Sequence, residues 1–480
     1  MKESNARPAE RERTLVNISK KTFIQVTLLL AILLALAIVL TYVVPRGSFG
    51  TLPDGGTDYL SYTPRPDLPG VPLLRGIFAP VLVFLSGDGL TLIMLSLFLF
   101  VISASFQVMN DVGGVRALVG AVSRRFRDRR KLLLVLISLL FYCFGSFLGL
   151  FEEMLTMLPI VAALCVAVGY DAFTGFLCCI VACGFGFAGA ITNPFTVLLA
   201  SEIIGANPME HIWFRFLLFA VMFGLFLAFL FRYMRRLERD PASGLTRAHD
   251  ERLRRAAETE DAAPGNERRV RRIYAVFLLA AFALILISSL TPALRSYAVV
   301  VLTAYFLLFG ILAGTAASGD LRAVLRSFLR GLAGALPTLV FIALAASIKY
   351  VFDQGSILPT VVNQIDRLAA GKGAFLIALV IYLIVLVLEF FISSSTAKAI
   401  LVMGLLAMVN VGLTKQMLVL LYTCADGYTN VLFPTSPVLL IALSMIGVDY
   451  FAWVKKSAPL FVLNFALVLA FIALGIAVRY

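Results

Sequence analysis

Charge is what this sequence is short of. Of its 480 residues only 14% are Asp, Glu, Lys or Arg, against 60% hydrophobic, and the mean hydropathy is +0.95; a soluble domain is nearer half apolar and a quarter charged. No strongly polar stretch is longer than the one from Arg232 to Arg272, which excludes a large soluble head or a separate catalytic domain. Histidine is nearly absent: His211 lies at the edge of an apolar segment and His249 in the polar stretch. There is no His-Glu-x-x-His, no Gly-x-Ser-x-Gly and no pair of aspartates in glycine-containing motifs, so the sequence does not read as an enzyme. The six cysteines, Cys143, Cys165, Cys178, Cys179, Cys183 and Cys424, all fall in apolar segments, where disulfides are not expected. Cys179 and Cys183 share a helix face but have no His or carboxylate nearby in sequence, so they read as small packing residues and no metal site is expected.

What is present is apolar sequence, enough for about ten membrane-spanning helices of about 20 residues each. The net charge of +13 comes from basic residues clustered in loops between apolar runs, the positive-inside pattern of a polytopic protein, and no nucleic-acid partner is implied. Residues 1–22 form a basic tail ahead of the run Phe23 to Val44. That run is too long for a signal-peptide core and ends in Pro45-Arg46-Gly47, so it reads as a retained span with a cytoplasmic N-terminus. The loop from Pro45 to Arg75 balances its arginines with acids and is expected outside; the loop from Asp111 to Lys131, rich in arginine, is expected inside. Twelve arginines and eight acids lie between Arg232 and Arg272, and this stretch reads as a flexible cytoplasmic linker at 234–272.

The halves on either side resemble each other. Ser105, Asp111 and Gly113 fall over Ser347, Asp353 and Gly355 at an offset of 242, and Thr192-Asn193-Pro194 falls over Thr435-Ser436-Pro437 at 243. The pattern predicts an all-α polytopic membrane protein built of two repeats, 23–233 and 317–480, joined by the linker and by connecting spans at 273–316. Asp111 is expected inside and Asp353 outside, so the repeats are expected to be inverted, as in many secondary transporters.

Each half has two polar interruptions. Phe151-Glu152-Glu153 and Ser393-Ser394-Ser395-Thr396-Ala397-Lys398 read as the tips of re-entrant hairpins at 131–169 and 373–412. Asn193-Pro194 and Pro434-Thr435-Ser436-Pro437 read as breaks in helices at 173–206 and 415–446, since proline removes a backbone donor and irregular backbone at membrane depth survives only where protein or a water-filled site covers it. Free N–H groups at half-helix starts suit a carboxylate, and exposed carbonyls with the oxygens of Thr192, Asn193, Ser393, Ser394, Ser395, Asn430, Thr435 and Ser436 suit Na⁺. Charged residues inside spans carry a functional reading by default: Glu152, Glu153, Glu389, Lys398 and Asp426 qualify. A pairing of Glu152 or Glu153 with Lys398, merely holding the hairpins together, is the structural alternative. Trp213 and Trp453 read as membrane-interface anchors.

Thr41-Tyr42-Val43-Val44-Pro45-Arg46-Gly47, the Glu152-Glu153 tip, Asn193-Pro194-Phe195-Thr196, the Ser395-Thr396-Ala397-Lys398 tip and Asp426-Gly427-Tyr428-Thr429-Asn430 through Pro434-Thr435-Ser436 together resemble the YfcC-type members of the C4-dicarboxylate anaerobic carrier family, within the ion transporter superfamily. The resemblance implies a scaffold that forms a homodimer and a transport domain that moves as an elevator in the bacterial inner membrane, coupled to Na⁺ or H⁺ or to exchange. It implies no other cofactor. Carried over, the site comprises Glu152, Glu153, Asn193, Pro194, Ser394, Ser395, Lys398, Asn430, Thr435 and Ser436. The sequence departs from the family in Ser395-Thr396-Ala397-Lys398, where a small-Ser-Gly-Lys tip is usual, and in Gly404, where proline is typical. The function implied is secondary transport of a small carboxylate-bearing metabolite, a C4-dicarboxylate or an amino acid, with basic amino acid exchange as the alternative and an ion channel behind it.

Overall fold

The computed structural model of the chain describes residues 20–53, 57–87, 89–258, 267–291, 294, 297–369, 372–392, 394–408 and 412–480. Among them nine helices are long and apolar enough to cross a membrane, from Phe23–Val43 to Tyr450–Ala477. The first shows why these runs are helical and how they are divided. A chain in lipid must satisfy its backbone internally, and along Lys20–Val43 one stripe, Val26, Leu30, Leu34 and Ala37, is buried against protein, while Ile24, Leu28, Ile32, Leu36 and Val39 are left exposed as a lipid-facing stripe.

The helices form two groups. In the first, Gly89–Asp111 and Leu321–Gln354 pack along each other; Lys20–Val43 lies on Leu321–Gln354 and Ala298–Ser318 lies on Gly89–Asp111. At one end Asp111 accepts from Arg330 at 3.0 Å and from Ser327 at 2.5 Å. The second group holds the interrupted helices and ends in Ile212–Arg239 and Tyr450–Ala477, which pack on each other. Short helices Gly114–Arg125 and Leu358–Ala369 lead from the first group into the second.

Three expectations need correction. The fold is not wholly helical: the Pro45–Arg75 region contains an antiparallel ribbon, Gly47–Thr51 with Thr57–Pro64. Its Tyr59 hydroxyl donates to the Ile400 carbonyl at 3.1 Å, and the Tyr59 ring lies where a Cβ on Gly404 would come within 2.6 Å of it. Gly404, the departure from the family pattern, makes room for this ring. Trp453 is not an interface anchor but fully buried, donating Nε1 to the Val431 carbonyl at 2.9 Å; Trp213 is half exposed.

The third correction concerns the linker, which is not a loose tether over 241–258. Its helix Arg247–Glu258 docks on Leu158–Ala167. Asp250 accepts from the Ala172 amide at 2.8 Å and Thr246 from the Phe173 amide at 3.3 Å, so the linker supplies acceptors to the orphan N–H groups at the start of Ala172–Phe176 beside that helix's own cap, Asp171. Tyr233 donates to Asp171 at 2.5 Å. Burial, and then the neighbouring Asp171, push the Asp250 carboxyl up from 3.8 to about 6. The docked form therefore holds this proton more tightly than the free form, and docking is strongest below the ordinary Asp range and weakens as the pH rises through about 6. Hydrogen exchange of the 247–258 amides, corrected for intrinsic rates, should show more protection at about pH 5 than at about pH 7.5, and Asp250→Asn should remove the difference. Equal protection at both values in the parent would refute the linkage.

Candidate functional site

The first hairpin runs through Arg130–Cys143 and a π turn, Phe144–Leu148, reverses at Gly149 (φ 68°), and returns through Glu152–Thr156 into Leu158–Ala167. Helix Ala172–Ala188 packs against both arms. The second hairpin pairs Ala374–Phe391 with Ser395–Met408, and Lys415–Thr429 packs against both of its arms. The interrupted helices resume at Pro194 and at Pro437, each the first residue of its second half. Proline there starts a helix rather than breaking one, because its missing N–H is one that no helix start uses.

The two interrupted helices cross almost without separation: a Cβ on Gly427 would sit 1.9 Å from the Ala188 amide nitrogen. The second half Pro437–Met445 packs against the Glu152–Thr156 tip, and Leu199–Ile204 packs against Ser395–Met408. Tips and breaks from both halves thus converge.

Asn193 is fully buried and wholly engaged. Its Oδ1 accepts from the amides of Phe195 and Thr196 at 2.9 and 3.3 Å, and its Nδ2 donates to the Gly145 carbonyl at 3.0 Å. It caps one helix and fastens it to the first hairpin. Ser436 caps the second, accepting from the Leu439 amide at 3.5 Å. The half-helix N–H groups expected to be free for a carboxylate are thus partly consumed. The carbonyls expected to be open for Na⁺ are also engaged: Ser146 donates to Gly189, the buried Arg215 to Ala190, Trp453 to Val431 and Tyr450 to Leu432. Arg215 was not singled out from the sequence, although an arginine inside Trp213-Phe214-Arg215-Phe216 is a legible signal. Nor were the cysteines merely space-filling: Cys183 and Cys179 donate to the carbonyls of Leu150 and Met154 at 2.6 and 3.5 Å, holding the non-helical tip.

The second tip carries the charge. Lys398, fully buried, contacts Glu389 on the opposite arm and Asp426 at 2.5 Å on the interrupted helix, and donates to the Ile392 carbonyl at 3.3 Å. Ser395 donates to the other Asp426 oxygen at 2.7 Å, and Tyr422 to the Ser395 carbonyl. The partners of Lys398 are therefore Glu389 and Asp426, not Glu152 or Glu153. Glu152 is exposed and Glu153 half-buried on the first tip. Ser394 is exposed, its hydroxyl accepting from Ala397 at 3.3 Å; Thr192 donates to Phe147 at 3.3 Å and Asn430 to the Asp426 carbonyl at 2.8 Å. Thr435 is buried. Ser393 lies outside the described residues. Among the described residues, the buried hydroxyls of Thr156 and Thr196, at the first tip and first break, have no hydrogen-bond partner.

Long apolar helices with charged and polar side chains gathered where they are interrupted define a multi-pass membrane protein with an internal polar site. The profile of the C4-dicarboxylate anaerobic carrier family matches residues 23–478, and the chain belongs to that family of membrane transporters. It is 26% identical over 385 residues, 77% of this chain and 74% of the other, to YfcC of Escherichia coli (strain K12), provisionally described as a basic amino acid antiporter. An uncharacterized protein of Haemophilus influenzae is 24% identical over 369 residues, 76% of this chain and 71% of the other. The crystal structure of the Alcanivorax borkumensis YdaH transporter aligns over 95% of this chain and 99% of that one, at 16% identity and a TM-score of 0.40.

Proposed function

We propose that the chain is a secondary active transporter that moves a small carboxylate-bearing metabolite across the bacterial inner membrane, and that it takes an amino acid with a cationic side chain in preference to a C4-dicarboxylate. One observation carries the choice. Lys398, the cation at the tips, is already held by two carboxylates, while the first tip presents Glu152 and Glu153. Among the described residues of the two tips, a second carboxylate on the substrate would meet no free cation; an ammonium or guanidinium would meet two acids. Contact with substrate falls to Glu152, Glu153, Ser394, Asn430 and Thr435, joined by Thr156 and Thr196, while Thr192, Asn193, Pro194 and Ser436 shape the breaks.

The movement we propose is an elevator. The helix group built on Gly89–Asp111 and Leu321–Gln354 is the scaffold, two copies of which associate as a homodimer, and the hairpins and interrupted helices travel against it. The crevice between the groups is lined by Leu99, Ile102, Phe106, Leu155, Ile441 and Met445, side chains that can slide without breaking hydrogen bonds. The exchange of packing partners, Lys20–Val43 on Leu321–Gln354 and Ala298–Ser318 on Gly89–Asp111, supports two inverted repeats around a pseudo-two-fold axis, with Ala298–Ser318 added to the 317–480 repeat rather than counted among the connecting spans. The N-terminal tail is cytoplasmic in this reading.

Uptake of labelled arginine, ornithine and succinate into proteoliposomes under imposed Na⁺ or pH gradients tests it. Arginine or ornithine should move, saturably and by exchange, and succinate should not. Ser394→Trp should abolish uptake in a protein that still elutes as one sharp species. Succinate uptake alone would overturn the cationic preference, transport of none of the three would overturn both, and non-saturable flux would indicate a channel.

A further inference from the structure

The cluster at the second hairpin does not balance its charge. Glu389, Lys398 and Asp426 are respectively 3%, 0% and 0% exposed, and with all three ionised the group would carry one net negative charge in a place where uncompensated charge is very costly. Lys398 cannot compensate further. An ammonium has three N–H donors, and they face Glu389, Asp426 and the Ile392 carbonyl.

Among the described residues no other cation forms an ion pair with the cluster. Arg215, buried near Cys424, donates to the Ala190 carbonyl instead. Lys349, at the end of Leu321–Gln354 whose Phe352 packs on Phe391, pairs with Asp353 at 3.8 Å; Lys415 donates to the Gly205 carbonyl at 3.1 Å; Lys456 lies over the Tyr233 ring at 5.0 Å; and Lys455 is exposed. The remaining ionisable groups nearby are neutral or acidic in character. Tyr382 and Tyr428 share a hydrogen bond of 3.1 Å, Tyr422 donates to Ser395, Cys424 is buried, and Glu202, on the neighbouring second half of the first interrupted helix, is exposed. A proton needs only a carboxylate oxygen. Among the described residues, both oxygens of Asp426 face donors, Lys398 and Ser395, whereas Glu389 meets Lys398 alone.

We propose that Glu389 carries a proton at neutral pH, making the second hairpin a proton-binding site with Lys398 as its built-in counter-cation, and that release and recapture of this proton couple transport to the pH gradient. With the proton on Glu389 the cluster is neutral: one carboxylic acid, one carboxylate, one ammonium. Glu389 and Lys398 stand on opposite arms of the hairpin, so parting the arms exposes Glu389 to water, which accepts the proton and leaves a carboxylate. Closure on the far side recaptures one proton from that side. The coupling half of this inference rests on the transporter reading; the protonation half does not.

Two measurements separate them. Infrared pH-difference spectra of the purified protein in lipid should show a protonated-carboxyl C=O stretch at neutral pH that is absent from Glu389→Gln, moved in frequency by Glu389→Asp, and kept by Glu153→Gln. Glu389→Gln copies the shape of the neutral acid, and Glu389→Asp guards against a folding failure in it. A band that survives both Glu389 changes unaltered overturns the proposal. In proteoliposomes with labelled arginine, Glu389→Gln should keep arginine–arginine exchange within about threefold of the parent and lose all accumulation driven by a pH gradient. Gradient-driven accumulation in Glu389→Gln overturns the coupling. A parent protein that moves no arginine counts against the transporter reading, and the infrared result then still decides whether Glu389 holds the proton.

Discussion

Replacing Lys398 by methionine is expected to destabilise the protein by about 3–5 kcal/mol and to abolish transport, because removing one partner of a buried ion pair leaves the other charges without compensation. Methionine approximates the length of the lysine stem, so packing is largely kept and what is lost is the ammonium that contacts Glu389, Asp426 and the Ile392 carbonyl. Thermal unfolding in detergent, followed by the fraction remaining monodisperse, measures the first effect, and uptake into proteoliposomes the second. Lys398→Met combined with Asp426→Asn removes one positive and one negative charge, and this pair should regain much of the stability but none of the transport. An unchanged unfolding temperature for Lys398→Met alone would mean that the cluster is hydrated and the reasoning from burial wrong.

Gly427→Val is expected to destabilise the protein by about 3 kcal/mol or more and to prevent accumulation of folded protein, since overpacking at a close contact costs most where the neighbour is unable to yield. The obstacle is main chain: a Cβ on Gly427 would lie 1.9 Å from the nitrogen and 2.1 Å from the Cα of Ala188. A flexible side chain could move aside; the backbone of a second helix cannot without separating the two halves of the molecule. Gly224 on Ile212–Arg239 is the control, because a Cβ there meets nothing within 4 Å, and Gly224→Ala should be neutral or slightly stabilising. Comparable expression and unfolding of Gly427→Val and the parent would show that the crossing is looser than described.

The interruptions that converge on the site were legible in the sequence because lipid tolerates so few exceptions: Glu152-Glu153, Asn193-Pro194, Ser394 to Lys398 and Thr435-Ser436-Pro437 stand out against apolar runs on either side. What they are bonded to was not legible. Lys398 had several carboxylates within reach of a sequence argument, and the choice of Glu389 and Asp426 follows only when the two arms close around Lys415–Thr429. Asn193 has a side chain suited to a ligand or to a helix cap, and the deciding partner, the Gly145 carbonyl, comes from a different element, the first hairpin. Trp453 fails as an anchor because the hydropathy of Tyr450–Ala477 does not say which of its faces meets lipid. The linker misled for a related reason. Thr246 and Asp250 look like ordinary solvated residues until the helix start they cap is known.

The ribbon of Gly47–Thr51 and Thr57–Pro64 has a reach beyond its size. It begins directly after the first span, hydrogen-bonds through Gly47 to Ser356 at 3.1 Å and through Tyr62 to Thr360 of Leu358–Ala369 at 2.8 Å, and touches Ile400 and Gly404 of the second hairpin through Tyr59. Most of the second strand's side chains are exposed. If the second hairpin travels as proposed above, an antibody fragment or peptide that pairs with this strand would arrest it without resembling the substrate.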